Sequence, residues 1–370
     1  MAKARRRTVA SLLPKPPLQL GGRLALETGK RLFVKMPYHD NLLRTVEVRG
    51  RNPVSIWFLA GQVGAGKTWT LSWLGREVRG WQEVKHGDEK WEVALVPGLS
   101  MGAGPRTLVE AVFSGCEHLR EHLAEEQEPF HLSSRGSDSR TLVKEAIGNE
   151  EVWAVLTGNR GRFPSVRGVG SPPKWTRTEN QVDLLAQWFA LLRGQGIRYL
   201  LVLIDEFEMV ITALPPRQLR ELSNALRRIY DILEDGRATP NVQFVLAATT
   251  DVVTQLYSTE RGATASQGWI SALRQRMDEP FYVELLTKDQ ALRIAEEAIG
   301  QARAEEVGMR FIPYQEEAVE YAYEVSAGVP RRFAGMLRQM YEDALLEGAT
   351  EIGVQHAEQA ADKLGYSIKE

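Results

Sequence analysis

Val54-Ser-Ile-Trp-Phe-Leu-Ala60, running into Gly61-Gln-Val-Gly-Ala-Gly66-Lys67-Thr68, is the stretch that decides the fold. The first part is an apolar run of strand length that stops at a glycine, as a buried strand should. The second fits the phosphate-loop spacing G-x-x-x-x-G-K-[ST] in full. A helix is expected next, from Lys67 to about Arg79, with Leu71, Leu74 and Val78 on one face. Glycines let the backbone curl around an anion without Cβ clashes. Successive N–H groups at the positive end of the helix then hold that anion. The candidate cradle is Gly61, Gln62, Val63, Gly64, Ala65, Gly66, Lys67, Thr68 and Trp69. Lys67 is expected to reach the β and γ phosphates, and the Thr68 hydroxyl to ligate Mg2+.

Further strands are expected at Glu92–Val96, Tyr199–Ile204 and Val242–Ala247. Leu201-Val-Leu-Ile runs directly into Asp205-Glu206. An acidic pair at a strand's carboxyl end lies where ligands bind in open α/β sheets. After a phosphate loop, Asp205 is expected to hold Mg2+ through water, and Glu206 to polarise an attacking water as general base. The run Val245-Leu-Ala-Ala-Thr249-Thr250 ends the last strand in hydroxyls that can orient that water. Between the third and fourth strands a helix is expected from about Pro216 to Leu233. Its Leu219, Leu222, Leu226, Ile229 and Leu233 form one stripe. Strands alternating with helices predict an α/β fold with a parallel sheet covered on both faces.

About 100 residues separate the second and third strands, which is long for one crossover. Leu108, Val112, Cys116, Leu119 and Leu123 mark a helical face there, and Ser133–Ser139 and Gly161–Thr178 read as loops. After Glu284 the pattern is all-helical. Thr287-Lys-Asp-Gln290 is a capping-box start for a helix to about Val307. Pro313 is expected to open the next helix and Gly328 to cap it. Pro330 opens a third, and a last short helix begins near Thr350. Residues 1–20 carry five basic residues, three prolines and no acidic residue, which predicts a flexible arm.

The 370 residues carry a net charge of −2, so any nucleic-acid contact must come from a local basic patch. The one cysteine, Cys116, excludes an intrachain disulfide and predicts a reducing, cytoplasmic setting. No apolar run approaches the roughly 20 residues needed to cross a bilayer, so no membrane partner is expected.

With these residues in place the chain resembles the AAA+ ATPases. It is most similar to the clade of origin-recognition initiators, transposon target-selection regulators and related bacterial ATPases. The resemblance covers about residues 35–365. Ser271-Ala-Leu-Arg274-Gln-Arg276-Met277 resembles the box whose arginine reaches a neighbouring subunit's γ-phosphate. Phe281–Thr287 resembles the hinge into a lid, and Gly328-Val-Pro-Arg331-Arg332-Phe333 the lid motif that senses the γ-phosphate. By position, the resemblance implies Thr250 as first sensor, Arg276 as finger and Arg331 as second sensor. Thr249, Arg274 and Arg332 are their near-register alternatives.

It implies a basic flexible N-terminal arm at 1–34 and a nucleotide-binding α/β domain at 35–284, with an insertion at about 100–180. A helical lid domain at 285–370 follows. It implies ATP and Mg2+ as cofactors, hydrolysis of ATP, and assembly into a homo-oligomeric ring or filament. Two departures stand out. Val96-Pro97 replaces the asparagine that often ends the second strand in the family. The sequence stops soon after the lid, so origin binding through an added winged-helix domain is not expected.

Arg160 to Arg177 holds five basic residues together with Phe163 and Trp175, a composition that can track a phosphate backbone and stack bases. An ordinary solvated loop is the plain alternative. His118 and His122 share a helix face near His131, which reads as solvated rather than metal-binding. Met101-Gly102 lacks the aromatic usual in a pore loop. Two readings of function remain open. One is an ATPase whose assembly is regulated on duplex DNA. The other is an ATP-gated adaptor for a protein effector such as a nuclease or transposase. A protein unfoldase is a more distant third.

Overall fold

The computed structural model describes residues 8–13, 36–84, 90–96, 105–125, 138–167, 169, 178–213, 215–234, 239–258, 274–303 and 310–366. Strand β1, Val54–Gly61, is buried at every position. It lies second from one edge of a five-stranded sheet with β2 (Lys90–Val96), β3 (Ile197–Ile204), β4 (Asn241–Thr249) and β5 (Phe281–Tyr282), in the order β2-β3-β4-β1-β5. All pairings are parallel. Every strand therefore ends at the same edge of the sheet, and β4 stands between β1 and β3. At that edge Gly61 pairs with Thr249, and Ile204 with Leu246.

The period-2 alternation of a strand puts helices on both faces. Ile56, Phe58 and Ala60 join an extended apolar core cluster. On the other face, a Cβ added at Gly75 would lie 3.4 Å from both Leu203 and Val93 side chains. Gly75 belongs to the helix after the phosphate loop, Lys67–Val84, which is longer than the expected end at Arg79. The stripe on Pro216–Glu234 is buried as read, from Leu219 to Leu233.

The described residues between β2 and β3 are helical up to Leu156 and contribute to the main core. They form Pro105–Gly115, Glu117–Glu125, Asp138–Gly148 and Glu150–Leu156, followed by Thr178–Gly194. Phe113, Trp153 and Trp188 meet there, with ring centroids 5.4 to 6.0 Å apart. Arg120 stacks over Trp153 at 5.4 Å and pairs with Glu117 and Glu150, which raises its pKa chiefly through the Glu150 hydrogen bond. Cys116 is sealed in this core, and burial pushes its thiol up to about 12.

The loop read at Gly161–Thr178 holds over 161–167, and the differences lie at the loop ends. Asp138, Ser139 and Thr178 are helical, and residues 133–137 lie outside the described residues. Phe163 is only 9% exposed and belongs to the core, so it cannot stack on a base. Trp175, Met101, Gly102 and His131 lie outside the described residues. Among the described residues no His, Cys, Asp or Glu cluster suits a metal ion, and His118 lies 3.8 Å from Glu92. No helix among them is long and apolar enough to cross a membrane.

The described residues fall into two compact units. One lies within Asn41–Gly61 and Thr70–Tyr282, the other within Met1–Asp40, Gln62–Trp69 and Val283–Glu370. The second unit carries helices Lys288–Ala302, Glu316–Ser326, Pro330–Leu346 and Val354–Leu364. The capping box at Thr287 and Gln290 forms as read, but this helix ends at Ala302 rather than Val307. Pro313 does not open the next helix, because its carbonyl accepts from Ile352 N–H at 2.9 Å, and Gln315 is the N-cap. The same bridge, Tyr314 with Ile352, delays the last helix from Thr350 to Val354. The helix closing at Ser326 is capped by Ala327 in the left-handed region, φ 50°, with Gly328 at φ 72° just after it. Only glycine fits at 328, since a Cβ would lie 2.5 Å from the Leu286 carbonyl oxygen.

The expected flexible arm is corrected for residues 8–13. They form a short helix, Val9–Leu12, with Val9 and Leu13 fully buried. Val9 N–H donates to Ala349 O at 2.9 Å, and Tyr341 Oη donates to Leu13 O at 2.9 Å. Apolar side chains placed between basic residues and prolines dock this segment where composition alone suggested none. The rest of 1–34 lies outside the described residues.

Candidate functional site

In the sheet unit, β3 delivers Asp205 and Glu206 to the carboxyl edge. Asp205 is 5% exposed, and its Oδ1 accepts from Glu206 N–H at 2.9 Å. Its own N–H donates to Val96 O at 3.0 Å, which ties the end of β3 to the end of β2. Glu206 is exposed and has φ 51°, a region that residues with a Cβ rarely adopt. Such strain persists only where the surroundings enforce it, and it gathers at functional positions. Thr249 ends β4 beside Gly61, and Thr250 starts the helix Thr250–Ser258. Both are half-buried.

In the helical unit, the loop Gln62–Gly66 takes the shape its glycines allow. Gly64 has φ 83° and Gly66 φ 94°. Lys67 is 8% exposed, and its Nζ donates to Gln62 O at 3.2 Å. Thr68 and Trp69 are half-buried and Val63 exposed. Arg331 N–H donates to Gly64 O at 3.2 Å, so the segment that carries the second-sensor candidate touches the loop through its backbone. The Arg331 and Arg332 side chains are exposed.

Arg276 lies elsewhere. Its segment runs along the start of β1: Asp278 N–H donates to Ile56 O at 2.9 Å, and Ser55 Oγ donates to the Asp278 carboxylate. Arg49 donates to Glu279 O at 2.9 Å and stacks 4.9 Å over Trp57, while burial lowers its pKa. Tyr257 Oη donates to Asp278 O at 3.0 Å, and burial pushes its phenol up to about 12. Arg274 stacks over Tyr257 at 5.2 Å, and Arg276 Nε donates to Asp231 at 3.0 Å. Ile56 precedes Gly61 by five positions, about 16 Å at 3.3 Å per residue. The arginines therefore sit toward the amino edge of the sheet and the acidic pair at its carboxyl edge.

Residues 52–256, more than half of the chain, match the family described as AAA domain. The chain belongs to the AAA domain family. As an AAA protein it is a P-loop ATP-binding chain, and the α/β sheet with a helical C-terminal region is the fold read from the sequence. Residues 176–346 also match the family described as BREX system ATP-binding protein BrxC/D. The fold resembles that of the Aeropyrum pernix ORC2 protein in its ADP form, with TM-score 0.56, 15% identity, and coverage of 92% of this chain and 72% of that one. It also resembles a chain of Drosophila ORC bound to DNA, with TM-score 0.52, 15% identity, and coverage of 94% and 65%. Cdc6p from Pyrobaculum aerophilum gives TM-score 0.50 at 14% identity, covering 94% and 72%. At such identities the likeness concerns the AAA fold alone. No protein of curated function matches the chain.

The AAA chain also holds residues that sequence reading passed over. Asp231, Asp278, Ser55 and Arg49 hold the segment that carries the finger candidate Arg276, yet each looks like an ordinary helix, strand or loop residue until its distant partner is known. Within the sheet unit, Asp205 is a buried carboxylate at a strand end, a hard oxygen donor of the kind magnesium takes.

Proposed function

We propose that the chain is a cytoplasmic, Mg2+-dependent ATPase that hydrolyses ATP at interfaces between its own copies and regulates an assembly on DNA. Gly61–Trp69 hold the triphosphate, with Lys67 on the β and γ phosphates. Thr68 and Asp205 hold Mg2+, which would offset phosphate charge as it builds up. Glu206 polarises the attacking water, and Thr250 orients it. Arg331 senses the γ-phosphate.

The carrying observation is the placement of Arg276. An arginine held toward the amino edge of the sheet by Asp231 and by an Asp278 contact at Ile56 is remote from its own strand-end carboxylates. It meets a triphosphate when a second copy brings one. Hydrolysis then depends on assembly.

The DNA part draws support from exposed Arg162 and Arg167, and from the fold neighbour described as bound to DNA. The test images particles with a non-hydrolysable ATP analogue, with and without duplex DNA. Rings or filaments that require the analogue are expected, and monomers under all conditions would refute the proposal. In parallel, Arg162→Ala with Arg167→Ala should lower the salt slope of duplex binding by about 1.8, the value for two lost phosphate contacts.

A second reading, the ATP-gated adaptor for a protein effector, is favoured by the Arg331–Gly64 hydrogen bond, which links the phosphate loop to the lid segment. Glu206→Gln, which retains ATP, should then capture a nuclease or transposase-like partner without any DNA dependence.

A further inference from the structure

The exposed end of the helix Pro216–Glu234 meets Arg276 from two sides. Asp231 Oδ1 accepts from Arg276 Nε at 3.0 Å, and the Arg276 guanidinium lies 5.9 Å from the centre of the Tyr230 ring. The other carboxylate oxygen, Oδ2, lies 3.7 Å from Arg227, one turn back, so Asp231 is itself held. The two partners are 45 positions apart, which makes the pair a tertiary device rather than a local one.

As a stabiliser the pair is weak. The side chains are 25% and 45% exposed, and exposed ion pairs contribute little to folding. The Arg276 segment is anchored without it, through Asp278 on Ser55 and Ile56 and through Arg49 on Glu279. What the bond adds is direction. A guanidinium is a rigid planar fork, so a carboxylate at Nε fixes both its plane and the heading of its terminal nitrogens.

We infer that Asp231 is a positioning residue that holds Arg276 aimed at the triphosphate of a neighbouring copy. The inference rests on the reading of Arg276 as acting across an interface. A carboxylate could also restrain an arginine until assembly pulls it away. Contact through Nε argues for aiming, because a phosphate is met by the fork's terminal nitrogens while Nε stays on Asp231. Tyr230 beneath the guanidinium limits its remaining freedom.

The test mixes two defective subunits. Glu206→Gln keeps Arg276 but does not hydrolyse, and Arg276→Ala keeps its own nucleotide site but offers no arginine. Hydrolysis should return on mixing. With Glu206→Gln/Asp231→Ala as donor, the recovered kcat should fall about tenfold, a modest share of the 10³–10⁵ a finger arginine supplies. KM for ATP, donor melting and co-assembly by light scattering should not change. Asp231→Glu in the donor should restore part of the rate, and Asp231→Asn replaces the alanine variant if that one does not fold. A recovered rate equal to or above that with the simple donor overturns the role of Asp231. No recovery with the simple donor overturns the interface reading itself, so the two failures are told apart.

Discussion

Gly64 and Gly66 share a left-handed backbone, yet they differ in surroundings. A Cβ on Gly64 would lie 3.0 Å from Arg331 Cβ and 3.1 Å from Val329, whereas one on Gly66 meets nothing within 4 Å. Each alanine variant incurs about 1–2 kcal/mol for the left-handed conformation. Gly64→Ala adds crowding, so its thermal melt without nucleotide should fall further than that of Gly66→Ala. The reverse order would contradict this packing. Glu206 carries the opposite signature, a side chain where glycine would be easier, φ 51°. Glu206→Gly should therefore melt no lower than the unaltered protein, by up to about 1 kcal/mol in its favour. Its ATP turnover should drop 10²- to 10⁴-fold, the usual worth of a general base. A clear fall in melting temperature would mean the strain is not there. The phosphate loop and the acidic pair were legible because their chemistry is written in consecutive residues. The strain at Glu206 and the Asp231–Arg276 bond were not, since one is a torsion and the other joins positions that only folding brings together.

At the scale of elements, two side chains read as surface features are core. Leu13 is fully buried in the helical unit and Phe163 is 9% exposed in the sheet unit. Leu13→Ala should cost about 2–5 kcal/mol and Phe163→Ala about 3–5, by chemical denaturation. Values under 0.5 kcal/mol would restore a loose arm and a solvated loop. Long periodic elements were easy to read. The stripe from Leu219 to Leu233 has one solution, a helix with that face buried. Helix starts near Pro313 and Thr350 were misplaced because the bridge between Tyr314 and Ile352 uses the backbone groups that local signals assigned to helix ends. The capping box at Thr287 succeeded because both of its bonds are local.

For the whole molecule, sheet order is the consequential fact. With β4 between β1 and β3, three strand ends bring Gly61, a hydroxyl pair and an acidic pair to one edge, while Arg276 is anchored toward the other. Such a chain should hydrolyse slowly when dilute and faster as it assembles. Turnover per subunit should therefore rise with protein concentration and vanish with Arg276→Ala. A rate independent of concentration would contradict that dependence. Beneath all of this lies nucleotide capture itself. Titration calorimetry of the purified chain with ATP, with and without magnesium, probes it most directly. Saturable heat that needs magnesium and is lost in Lys67→Ala is the predicted result; no heat, or heat indifferent to Lys67→Ala, would contradict the account at its base.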